Sequence, residues 1–182
     1  MWHRTYSVCS KNNNTWYIQF NKATEENKYR GVESLSFHYY SIYEYEHGLR
    51  VIKPLPVRNE YKIYGVSVYN GHLFRRYRER LNLPVSSPEK LIDSFFRHNH
   101  LVTGTTRKDT YLNQQGILLG ERIQHEFGVF KEYRTFVSFD LLFEEQREIK
   151  EELMDQLDYI LNNNVPYHMP EGLIKKILET DD

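Results

Sequence analysis

Residues 61–98 read as a strand followed at once by two amphipathic helices, and that order limits what the chain can fold into. YKIYGVSVYN (61–70) is strand-like and leads straight into GHLFRRYRER (71–80). Leu73, Tyr77 and Leu81 recur at spacing four, which predicts a helix over 71–81 with one apolar stripe. Ser86 with Glu89 three residues on makes a capping box, and Pro88 suits a first helical turn. Leu91, Ile92, Phe95 and Phe96 then predict a second helix over 87–98.

Strand-like runs flank this pair. WYIQF (16–20) lies between polar loops, and SLSFHYYSIYEYE (34–46) is dense in tyrosine. The latter reads as a long strand, or as a strand and a helical turn. Pro54 and Pro56 keep LRVIKPLPVR (49–58) extended, as a linker or an edge strand. After the helices come LVTGTT, TYLN, GILLGERIQHEF and GVFKEYRTFVSFD, an expected antiparallel meander. In the last run Tyr133, Thr135 and Val137 share one parity, and Arg134 and Phe136 the other. From Leu141 a helical pattern rich in acids begins. The fold class expected is α+β: two helices packed on an antiparallel sheet, with a β-rich N-terminal extension and a C-terminal acidic helix. The organisation expected is 1–60, 61–140 and 141–182, together one compact unit.

Composition narrows the class. Aromatic residues make up 15% of the 182, too many for a disordered chain. Cys9 is the single cysteine, so no internal disulfide can form, and a reducing compartment is expected. MWHRTYSVCSKNNN resembles no signal peptide and no apolar run is long enough to span a bilayer, so a cytoplasmic protein without a membrane partner is expected. The net charge of −1 conceals a split. Residues 61–110 hold nine Lys and Arg against four acids, whereas residues 140–182 hold twelve acids against four bases. A basic middle suits a polyanion, RNA ahead of DNA. It equally suits two oppositely charged surfaces of one chain, with the acidic helix lying over the basic one.

His72, Arg76 and Arg80 stand at spacing four on the first helix. An imidazole and two guanidiniums are the parts that phosphodiester cleavage needs: a proton-transfer group and charges to stabilise the phosphorane. Read without function, His72 is structural, Arg76 pairs with Glu79 or Glu132, and Arg80 is solvated. His98 and His100 in RHNH lack the spacing of a metal site, so no metal and no cofactor are expected. GTTRKD (104–109) is a polar turn with two bases.

The stripe resembles the His-Ala-x-x-Arg-Met-x-x-Arg helix of small RNase-toxin-like domains of the barnase/EndoU/colicin/RelE type. The resemblance spans residues 66–140, where helix, helix and strands follow in the family's order. Leu73 stands in place of the family's Ala, and Leu81 in place of Gly. The resemblance implies metal-independent endoribonuclease chemistry in a nucleic-acid-binding protein. It implies a catalytic set of His72, Arg76 and Thr135, with Arg75, Arg80 and Tyr133 at the phosphate. The other class left open is a non-enzymatic interaction or inhibitor protein, an accessory factor of a mobile element or phage. There the tyrosine-rich strands and the acidic helix make protein contacts, a homodimer among them.

Overall fold

In the computed structural model the described residues are 2–22, 35–45, 48–56, 63–99, 102–105, 109–126 and 128–141, with 151 and 155. Among the described residues nine strands form one sheet. They are β1 (Trp2–Cys9), β2 (Thr15–Lys22), β3 (Leu35–Tyr45), β4 (Gly48–Pro56), β5 (Ile63–Asn70), β6 (Thr103–Gly104), β7 (Thr110–Asn113), β8 (Gly116–His125) and β9 (Gly128–Ser138). Two helices, α1 (Gly71–Arg80) and α2 (Pro88–His98), follow β5. The strand order is β1-β2-β3-β4-β5-β9-β8-β7-β6. The architecture is therefore α+β, with far more strand than helix.

The sheet is mixed rather than antiparallel. β5 pairs parallel with β9, because α1, α2 and the β6–β8 strands intervene before the chain returns beside β5. Every other neighbouring pair is antiparallel. The N-terminal strands continue the same sheet as β5 through β4. β4 is internal, although it carries Pro54 and Pro56. Its pairing to β3 ends at Ile52, so both prolines sit where one side of β4 has no ladder for a missing N–H to interrupt.

Helix α2 starts as its sequence dictates, with one correction: Ser87, not Ser86, is the N-cap and accepts from the Lys90 amide. Both helices lie on one face of the sheet. Phe95 is fully buried there, its ring 5.9 Å from Tyr69, 5.4 Å from Phe74 and 5.1 Å from Tyr77. Leu73, Ile92, Leu118 and Phe136 complete the apolar centre. Gln19 extends the contact sideways, donating to the Asp93 carbonyl at 2.8 Å and to its carboxylate at 2.9 Å.

The parity expected for β9 breaks at Arg134. Leu119 pairs with Thr135 while Gly120 pairs with Tyr133, so Arg134 has no opposite residue. This bulge lets Tyr133 and Phe136 both face the helices and turns Thr135 to the far face. The acidic C-terminal helix expected from residue 141 lies almost wholly outside the described residues, as do Arg107, Lys108 and His100. Among the described residues no helix is long and apolar enough to cross a membrane.

Candidate nucleic-acid interface

Burial of Leu73, Phe74 and Tyr77 fixes the rotation of α1 and turns His72, Arg75 and Arg76 outward. Arg75 donates to Nδ1 of the exposed His72 at 2.7 Å. Arg76 donates to Glu79 at 3.0 Å, and Arg75 lies 3.9 Å from the same carboxylate. Glu79 thus bridges two guanidiniums and offsets part of their charge. No side chain caps the N-terminus of α1, and no acid stands in its first turn. The free amides there add partial positive charge beside His72.

The His72 imidazole is held below its ordinary value of 6.5, by desolvation first and then by the Arg75 and Arg76 guanidiniums. It is therefore neutral near pH 7. With Nδ1 accepting from Arg75, the ring proton sits on Nε2, a donor rather than a free base.

The other sequence-derived residues are dispersed. Arg80 turns beneath the helix and donates to the Phe136 carbonyl on β9. Tyr133 is buried at 2% exposure, its ring 4.8 Å from Tyr69 and 4.9 Å from Tyr111. Thr135 lies on the far face of the sheet, opposite Leu119. The structure thus gathers His72, Arg75 and Arg76 on one surface. It does not bring Thr135 or Tyr133 to them, and the Arg80 head, held by the Phe136 carbonyl, acts on His72 and Arg76 only as a nearby charge.

His98 bonds the Ser94 carbonyl at 2.9 Å within its own helix. Among the described residues no cluster of three His, Cys, Asp or Glu side chains is placed to hold a metal ion. Sequence reading passed over Lys53, Lys131 and Arg122, which the sheet register places in one row. Their adjacency depends on strand pairing between distant segments and leaves no local signal. Comparison with protein-family models, curated proteins and solved structures finds no match.

Proposed function

We propose that this chain binds the phosphate backbone of nucleic acid, RNA foremost, through the outward face of α1. The contact between His72 and Arg75, at the uncapped start of a helix that also carries Arg76 and Arg78, carries this reading. A phosphate there meets a neutral Nε2–H, two planar guanidiniums and free helix amides, all donors. Endoribonuclease chemistry is the stronger form of the same proposal. In it His72, made imidazolium by the bound phosphate, protonates the leaving 5′-oxygen, water takes the proton of the attacking 2′-OH, and Arg75 and Arg76 stabilise the phosphorane. The distance of Thr135 and Tyr133 from this surface favours binding over cleavage.

The test is incubation of the protein with mixed-sequence RNA in EDTA, beside His72→Ala. Cleavage by the parent alone, leaving 2′,3′-cyclic phosphate ends, supports the catalytic form. Retention of intact RNA supports binding alone, and neither retention nor cleavage removes both.

A second reading, capture of a protein partner, rests on a separate observation. Tyr6 and Val8 on β1 and Leu119 and Ile123 on β8 are exposed apolar residues on the sheet face away from the helices.

A further inference from the structure

Four consecutive strands in the middle of the sheet place Lys53, Ser67, Lys131 and Arg122 side by side. Lys53 pairs with Ser67, Ser67 with Lys131, and Lys131 with Arg122. Neighbouring strands lie about 4.8 Å apart, so three long cationic side chains rise from a row roughly 15 Å wide. All four residues face the helix side. Lys53 places its ammonium 5.6 Å from the Phe96 ring centre and 2.7 Å from His38 Nδ1. Ser67 is buried, and the Lys131 ammonium lies 5.8 Å from the Tyr111 ring centre. Arg122 follows at the exposed end of the row.

Among the described residues this arrangement is electrostatically incomplete. The Lys53 ammonium is buried, that of Lys131 is half-buried, and neither has a carboxylate partner among the described residues. Arg122 stands beside Lys131 and adds repulsion. The nearest acids along these strands, Glu121 and Glu132, point to the other face. There Arg134 holds both, and Asn70 also donates to Glu132. Desolvating an ammonium is recovered only where an opposite charge stands near it. Aromatic rings under both lysines recover part of that cost. Among the described residues, this row of cations, with a buried hydroxyl at its centre and an exposed end at Arg122, has no anion beside it.

We propose that Lys53, Ser67, Lys131 and Arg122 form a binding site for a small phosphate-type dianion on the helix-side face of the sheet. The anion lies over Ser67, between the two lysines, and Arg122 closes it from solvent with a bidentate guanidinium contact. Two lysines and one arginine match a dianion better than a single carboxylate. The site is separate from the α1 surface. Its row lies one strand step beyond Val51, Tyr69 and Tyr133, which the helices cover, and it uses none of His72, Arg75 or Arg76.

Inorganic phosphate titrated into the whole chain at constant ionic strength, followed by calorimetry, tests this site. The expected result is saturable binding that Arg122→Gln and Lys131→Met each weaken by about tenfold or more. Lys11→Gln, at an exposed position in the turn between β1 and β2, should leave it unchanged. Arg122 is exposed, so its variant remains interpretable even if Lys131→Met does not fold. Absence of saturable binding overturns the proposal. So does undiminished binding in a folded Arg122→Gln, or a loss confined to Arg75→Gln, which would place the anion on α1.

Discussion

Arg75 donates to Nδ1 of His72 across 2.7 Å of exposed helix surface, and this contact decides what the imidazole can do. Protonating His72 would set two cations against each other, so the free protein keeps the ring neutral. Desolvation and the two guanidiniums hold its pKa below 6.5. A bound phosphate reverses the balance and favours imidazolium. RNA affinity should therefore rise as pH falls from about 7.5 to about 5.5, and this rise should be absent in His72→Ala. A parent protein whose affinity stays flat over that range does not use His72.

The bulge at Arg134 separates this account from the family resemblance. Thr135 lies across the sheet from α1, so Thr135→Val should leave RNA affinity, and any cleavage, within about twofold of the parent. A loss of tenfold or more, with the fold intact by circular dichroism, would return Thr135 to the site.

Lys53 gives the fold a measurable pH dependence. Burial lowers its pKa from 10.5 to about 8. Between those values the unfolded chain binds more protons at this residue than the folded one, so stability rises with pH across that window. Tyr40, Tyr69 and Tyr133 are pushed up by burial and lose stability only above their ordinary 10.0, which leaves the interval from about 8 to 10 to Lys53 and to Lys131, whose pKa burial also lowers. Urea midpoints measured across that interval should climb in the parent and climb less in Lys53→Met. Identical slopes would mean that the ammonium is not buried.

Phe95 joins both helices to the sheet, and truncating it should be the most damaging single change in the core. Phe95→Ala should cost about 3–5 kcal/mol. Leu141→Ala, at a side chain 48% exposed, should cost about 0.5 kcal/mol or less. Thermal melts of the two variants compare them directly, and equal shifts would contradict the packing described.

Both helices were legible because the period of Leu73 and Tyr77, and the Ser and Pro ahead of Leu91, act within one or two turns. The tyrosine-dense run was legible as a strand for the same local reason. β4 was less so. Its prolines argue for an edge, and only the early end of the β3 ladder at Ile52 explains their tolerance inside the sheet. The parallel β5–β9 pair joins segments some sixty residues apart, and periodicity says nothing about such partners. One unpaired residue at Arg134 then reversed the facing of Thr135 relative to Tyr133, and no composition rule marks a bulge of that kind. Of the candidate site, the α1 residues were visible as a stripe, though Arg80 is spent on the Phe136 carbonyl and Arg75 takes the contact with His72.

Fluorescence anisotropy of a labelled single-stranded RNA, titrated with the parent and with the double variant Arg75→Gln/Arg76→Gln at several salt concentrations, tests the central claim most directly. The account predicts that the parent binds and that log K falls linearly with log salt. The double variant should bind more weakly, with a slope shallower by about 1.4, two lost phosphate contacts at about 0.7 each. No binding by the parent at low salt, or an unchanged affinity and slope in the double variant, would contradict it.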